Sequence, residues 1–361
     1  MNIPPPVRKF EDLKPITMTV IVSYDVHDLN LPMLFRLLPV TSRTIENISS
    51  LPRKQGKIKF PSYMNTPGEI LNLRFKQEYR GIPRSQNTTS FDHTILGDIG
   101  TTSRITAIKL SATMEITGAL SIEHAKETAE YVFDYMRHAQ SMLDTIMDNK
   151  DTAYFVRDKY LEYLMSGISM QDMSDTEKKI WDFYHSLTQG CSYTYSEMLT
   201  SYLTTTDVKL YNGSLDIKSC SSEMTNLHFN IGISINQFEF AQIQNTAPFK
   251  IMFNNHKNSS VTLLVPYEKI VKGKVKICEH NIRVNKSGHV CYSGPGPDKM
   301  RNLYYAFWKL LLLNYEKIRS DLPKDITLST SKATNLSSSW YHTLDEQRKF
   351  IHDIITDELV K

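Results

Sequence analysis

Charge of one sign is the first thing this sequence lacks. Across 361 residues, 42 Lys and Arg stand against 39 Asp and Glu, for a net charge of +3. The totals therefore exclude the overall basic excess of a histone-like nucleic-acid binder, and any basic surface has to be local. Cysteine is scarce as well. The four, Cys191, Cys220, Cys278 and Cys291, are too few and too dispersed for the disulfide framework of a small secreted domain, which points to a reducing compartment. No long apolar run is present: residues 310–313 with their aromatic neighbours fall far short of a membrane span, and the first residues hold no apolar stretch of signal-peptide length. A soluble, intracellular, non-membrane protein is expected. Also missing are a nucleophile elbow, a Walker loop, an H-E-x-x-H helix and a glycine-rich dinucleotide fingerprint, so neither enzymatic activity, a small-molecule substrate nor a cofactor is expected. Ser293-Gly294-Pro295-Gly296-Pro297 resembles a phosphate loop only in its glycines. Its prolines remove backbone donors, and it reads as a rigid strand-to-helix corner.

What the sequence does contain is a 40% hydrophobic composition, enough to core roughly two or three domains or one pseudo-symmetric domain with insertions. It also contains a repeat. Residues 104–136 and 281–311 both read as strand, tight turn, strand, a hydroxyl-Gly step (Thr117-Gly118, Ser293-Gly294) and an amphipathic helix. With a three-residue turn at Lys286-Ser287-Gly288, Asn285 faces His289 and Arg283 faces Cys291. Ile282, Val284, Val290 and Tyr292 then share one face, and Asn281, Arg283, Asn285, Cys291 and Ser293 the other. In the earlier copy, a turn at Leu110-Ser111-Ala112 sets Ile108, Met114 and Ile116 against Lys109, Thr113, Glu115 and Thr117. The helices that follow carry stripes at Ala125, Ala129, Val132, Phe133 and Met136, and at Met300, Leu303, Phe307, Leu310 and Leu311, each needing a sheet to cover. Ser121 and Pro297-Asp298 are their expected starts. The aromatic cluster Tyr304, Tyr305, Phe307 and Trp308 reads first as helix core; a partner surface is the lesser alternative, since Trp308 and Leu312 lie off the second stripe.

Residues 17–24 and 226–235 read as the opening strands of the two copies, residues 28–38 as a short helix after the first, and residues 70–77 as a strand with Leu71, Leu73 and Phe75 against Asn72, Arg74 and Lys76. The expected organisation is a first repeat over 1–140, a mostly helical insertion over 141–222, a second repeat over 223–322, and over 323–361 a polar linker with a C-terminal helix starting at Thr343 in a capping box with Glu346. The fold class is α+β, two β-α-β(n)-α repeats whose antiparallel strands are covered by helices.

These residues resemble the TATA-box-binding protein family. There a hairpin ending in Ser-Gly-Lys, a strand, Thr-Gly-Ala and a helix follow one another, as Ser111 to Ala119 and Ser287 to Gly294 do here, and the resemblance covers about 200 of the 361 residues. It implies a pseudo-twofold saddle whose concave, curved sheet lies on a widened DNA minor groove while helices occupy the convex side, an arrangement and a DNA bend that are the general description of that protein. Residue by residue, Thr117 and Ser293 match two base-contacting threonines and Asn226 one of two base-contacting asparagines, whose mate falls near Thr17. Lys109 and Asn285 stand where the family carries wedge phenylalanines, and Glu115 where it has a groove-facing valine; Phe249 or Phe253 is the candidate for a wedge in the second copy. Long insertions are similar to those in the divergent saddle proteins of large DNA viruses. The resemblance thus implies a transcription initiation factor, with AT-rich double-stranded DNA and RNA polymerase or general factors of the IIB type as partners. Its location would be a nucleus, a viral factory or the virion.

The candidate nucleic-acid-binding set is Asn72, Arg74, Lys76, Lys109, Thr117, Asn226, Arg283, Asn285 and Ser293. The plainer reading of its basic members, and of the run Lys269, Lys272, Lys274 and Lys276, is a solvated sheet with lysines guarding edges. Cys278, His280, His289 and Cys291 have the look of a zinc set, but the three-residue turn splits them across the sheet. A two-residue turn would unite them on one face, yet leave His280 roughly 13 Å from His289 along the strand. No metal is expected. A saddle without DNA binding that docks proteins, and an accessory domain of a nucleic-acid enzyme, are the other functions this pattern admits.

Overall fold

The computed structural model describes residues 7–41, 53–54, 57–58, 66–82, 93–189, 191–244, 246–253, 260–271 and 274–320. The chain divides into an inner unit, Thr19–Ser221, and an outer unit that joins Met1–Met18 to Ser222–Lys361. Both are α+β, built on open antiparallel sheet.

In the inner unit, β1 (Pro15–His27, which begins in the outer unit) leads to α1 (Leu31–Leu37), a two-stranded pair β2 (Arg53–Lys54) and β3 (Lys57–Ile58), then β4 (Ile70–Phe75), β5 (Glu78–Gly81), β6 (Ile95–Gly100), β7 (Ile105–Leu110) and β8 (Met114–Ala119). Four helices follow: α2 (Ile122–Asp148), α3 (Lys150–Ser166), α4 (Asp175–Thr188) and α5 (Tyr193–Thr205). The hydrogen-bonded order is β1-β8-β7-β6-β4-β5, with β9 (Asn212–Asn230, which ends in the outer unit) on the other side of β1. Alternation along β1 sends Val20, Val22 and Tyr24 to the buried side, where Tyr24 meets Phe133 of α2 edge-on at 5.0 Å. The short α1 is closed at both ends: Asn30 Oδ1 accepts from Met33 N at 3.2 Å, and the Arg80 guanidinium donates to the carbonyls of Phe35 and Leu38 at 2.6 and 2.9 Å.

Ser121 caps α2, accepting from His124 N at 3.1 Å. The helix does not stop near residue 140. Its buried stripe continues from Met136 through Ala139, Leu143 and Ile146, so an uninterrupted apolar face carries it to Asp148, past the expected start of the insertion. The other end of that insertion also moves, because residues 212–221 are strand. Their polar composition (Ser, Asp, Lys) hid a β9 that begins well before the expected residue 226 and stops at Asn230 rather than 235, just before Gly232 at φ 77°. The turn of β7–β8 is displaced too: Lys109 pairs with Glu115 and Leu110 with Met114, leaving Ser111-Ala112-Thr113 as the turn. Leu110 is fully buried, and keeping it in the ladder accounts for the shift. Moving the turn centre by one residue changes every partner yet preserves parity, so Ile108, Met114 and Ile116 stay on the buried side.

The outer unit repeats the plan. After β9 come α6 (Gln237–Ala241), β10 (Lys250–Phe253), β11 (Ser260–Val271), β12 (Lys274–Asn285), β13 (His289–Gly294), α7 (Pro297–Leu313) and α8 (Tyr315–Ile318), in the order β9-β13-β12-β11-β10. Arg283 faces Cys291 and Ile282 faces Tyr292, as the three-residue turn requires. Gly288 in that turn has φ 76°, and a Cβ there would sit 2.0 Å from the carbonyl oxygen of Ile233, so only glycine fits. Ile282, Val284, Val290 and Tyr292 pack beneath α7 with Leu227 and Phe229. The aromatic cluster is core, as its first reading has it, and Trp308 and Leu312 are buried with it despite lying off the stripe: Trp308 lies against Phe229 and Tyr304, and both residues belong to the same core as Phe10 and Ile318. The flanking N-terminal turn at residues 10–12 bonds to α7, Phe10 N donating to Tyr305 Oη at 3.0 Å, so the helix is covered on more than its sheet side. The expected linker and C-terminal helix lie outside the described residues. No described helix is long and apolar enough to cross a membrane.

Candidate nucleic-acid interface

In the outer unit the side of the sheet turned away from the long helix is mostly polar, because every second residue of the strands points there; in the inner unit the same side mixes Thr19, Lys109, Glu115 and Thr117 with Ile21, Leu96, Ile105 and Ala107. On the outer unit this face joins Thr17 of β1, Asn226 of β9 and Ser293 of β13. Asn226 Nδ2 donates to Thr17 Oγ1 at 2.8 Å, and Ser293 Oγ donates to Asn226 Oδ1 at 2.6 Å. The amide is thus held by two hydroxyls, with one N–H and one lone pair left for a further partner. Arg283 stands exposed on the same side, with Asn285 half-buried beyond it. His228 and His289 meet edge-on at 5.3 Å between these groups, and burial together with His289 holds the His228 pKa below the ordinary histidine value.

On the inner unit, the corresponding face holds Thr117, exposed, with its Oγ1 at 3.5 Å from that of the buried Thr19. Lys109 and Glu115, directly opposite each other in the ladder, form an ion pair at 3.5 Å. The Glu115 carboxylate, a charge that repels phosphate, is therefore partly neutralised by Lys109, one of the candidate nucleic-acid-binding residues. The other inner candidates fare differently. Asn72 is buried and donates to Asp98 Oδ2 at 2.9 Å, because these residues are cross-strand partners next to an irregularity in the β4–β6 register. Arg74 lies over the Tyr79 ring at 4.9 Å and donates to its hydroxyl at 3.1 Å. Lys76 is not on the strand at all. It occupies the β4–β5 turn at φ 53°, exposed, with its ammonium 5.4 Å from the Phe75 ring.

The structure thus brings together Thr17, Asn226 and Ser293 in one place and Thr19 and Thr117 in another, and leaves Asn72, Arg74 and Lys76 on β4 and its turn. Thr17 and Thr19 were missing from the sequence-derived set, although their spacing of two on β1 puts them on the polar face. Neither candidate wedge is available: Phe249 is buried and Phe253 packs half-buried against the outer core, since its cross-strand partner Val261 faces the helix side.

The four residues with the look of a zinc set separate. His280 is buried, its ring in hydrogen-bond contact with Tyr292 Oη at 3.1 Å, while Cys291 opens to the opposite face. Burial and the neighbouring Lys299 charge push the His280 pKa down to about 4. Among the described residues, no group of three or more His, Cys, Asp or Glu side chains is placed to hold a metal. Of the lysine run, Lys269 ion-pairs with Glu223, Lys274 and Lys276 are exposed on β12, and Lys272 lies outside the described residues. No protein-family model matches this chain, and no curated protein does.

Proposed function

We propose that the chain is a transcription initiation factor similar to the TATA-box-binding protein, whose two units are the halves of a saddle that binds promoter DNA through the polar sides of its sheets. One observation carries this reading. Each unit runs strand, short helix, further strands, closing hairpin and long helix, with the first strand beside the last, and each turns a hydroxyl of the last strand, Thr117 or Ser293, away from its helix. The Thr17-Asn226-Ser293 cluster supplies donors and acceptors of the kind that read base edges in a minor groove, and Arg283 supplies a phosphate contact. RNA polymerase or general factors of the IIB type would then dock on the helices.

Filter binding of the full chain to an AT-rich duplex across a salt series is the test. The expected result is affinity that falls as salt rises, with a log–log slope of about −0.9 for each phosphate neutralised. Absence of binding at low salt, or binding without a salt slope, would reject it.

A second reading, a protein-docking saddle that has lost DNA, is favoured by the Lys109–Glu115 pair and by the burial of Asn72 and Phe249. Under it, partners captured by the chain persist after nuclease treatment; under the first, those bridged by DNA disappear.

A further inference from the structure

Three strands of the outer unit bring Arg283, Cys291 and His228 into one row. Cys291 on β13 stands directly opposite Arg283 on β12 and directly opposite His228 on β9. His289, two residues before Cys291 and so on the same face, meets the His228 ring edge-on at 5.3 Å. Arg283 and His228 are exposed, and His289 and Cys291 half-buried, so the row opens to solvent. It is a shallow seat with a permanent cation on one side of a small thiol and two protonatable rings on the other.

The surroundings decide which ligand such a row suits. On this face the pair is flanked on β9 by Asn226 and Asn230, on β13 by Cys291 and Ser293, and on β12 by Arg283 and Asn285. The hairpin turn adds the exposed Lys286, and neither residues 15–18 of β1 nor residues 231–236, which bond to that turn, hold an ionisable side chain. The charged groups nearest the pair are thus all basic. The carboxylates that β11 and β12 carry on this side, Glu268 and Glu279, lie out on the far end of those strands, Glu279 being four residues or roughly 13 Å beyond Arg283. With no carboxylate beside it, a proton on one ring is opposed by Arg283, and a second proton by the first. Burial and His289 together already hold the His228 pKa below the ordinary histidine value. A phosphate laid across the row reverses both oppositions, because it accepts hydrogen bonds from the guanidinium and from charged rings.

We propose that Arg283, His228 and His289 form a proton-gated seat for one backbone phosphate of DNA. Binding and protonation then assist each other: affinity rises as pH falls through the histidine range, and bound DNA draws protons onto the pair. The inference rests on the DNA-binding reading proposed above and adds to it a regulation by pH. Duplex DNA is the ligand because the seat adjoins the hydrogen-bonding cluster on the same face. Asn226 is two residues from His228, and Ser293 two from Cys291, so groups suited to base edges and to phosphate share one surface.

The experiment measures binding of the full chain to an AT-rich duplex from about pH 7.5 down to about pH 5.5, at each pH across a salt series. Proton uptake is read by calorimetry in buffers of different ionisation enthalpy. For the wild type, affinity is expected to rise about tenfold over that range, with uptake of roughly one proton and a salt slope steeper by about one unit. His228→Gln/His289→Gln is expected to remove most of the rise, the uptake and the steepening. Melting at each pH checks that this variant folds. Should it fail to, His228→Gln alone, at the exposed ring, decides, and is expected to remove about half of the rise in log affinity. Wild-type binding that is flat with pH, or a pH response that the variants keep, overturns the phosphate seat and leaves the DNA-binding reading standing. Absence of wild-type binding at every pH overturns both.

Discussion

Apart from β5 at the edge of the inner unit, the inner and outer units reach a similar strand order by different local means, and the corner between closing hairpin and long helix shows how. Each corner has a glycine and a buried histidine. In the inner unit Gly118 has φ 97°, and a Cβ there would meet nothing closer than 4.0 Å; in the outer unit Gly294 has no such backbone demand, but a Cβ would fall 2.7 Å from Met300 Cγ and 2.8 Å from His280 Nδ1. His124 accepts from Leu120 N through Nδ1 and lies 2.7 Å from Thr101 Oγ1 through Nε2, whereas His280 contacts Tyr292 Oη, which itself bonds to the Met300 carbonyl. Glycine is required once for conformation and once for space. The shared topology is set by which face of each strand is apolar, and the details are free to differ.

The largest expected effects test whether the two long helices are equally deep in their cores. Phe133→Ala on α2 and Trp308→Ala on α7 both remove a fully buried aromatic, and each is expected to lower unfolding free energy by about 4 kcal/mol in denaturant titration. A Trp308 variant that loses under about 1 kcal/mol would mean that its ring faces a partner site after all.

The histidines give a pH test. Burial lowers the pKa of both, in the outer unit from 6.5 to about 4. Because the native state refuses a proton that the unfolded chain accepts, this stability is present above pH 6.5 and is lost as pH falls from there toward 4. The loss should reach on the order of 3 kcal/mol for His280. In His280→Gln, the stability–pH curve should be flatter over that window; an unchanged curve would show that His280 is protonated without penalty.

The glycine comparison comes next in size. Gly118→Asn is expected to cost no more than about 1 kcal/mol, since asparagine tolerates left-handed backbone, and Gly294→Asn about 1–3 kcal/mol through overpacking. Equal losses would erase the distinction between the corners.

Much of this was legible from alternation alone. Parity survives a misplaced turn, which is why Ile108, Met114 and Ile116 could be assigned to the core although the inner turn was set one residue early. Arg283 and Ser293 follow from the same rule. What alternation cannot see is who stands opposite. Asn72 looks open until Asp98 is placed across from it, and Lys109 looks free until the corrected register puts Glu115 beside it. Trp308 and Leu312 kept a partner-facing alternative open because a helical stripe describes one covered side, whereas α7 is also covered by the N-terminal turn and α8. The polar first half of β9 carried too few apolar residues to register as strand.

The polar faces offer the smallest effect and the one closest to function. Lys109 and Glu115 are each more than a third exposed, so breaking their pair should change stability by less than about 1 kcal/mol. Its consequence belongs to DNA binding. On the inner unit Glu115→Gln removes the negative charge beside Lys109, whereas on the outer unit Arg283 faces Cys291 and is already exposed. Glu115→Gln should therefore steepen the salt dependence of binding by about one unit, and Arg283→Ala should flatten it by about the same amount. If only the Arg283 variant moves the slope, the outer face alone meets phosphate and the two units have parted in function while keeping one topology. If neither moves it, the polar faces are not where DNA lies.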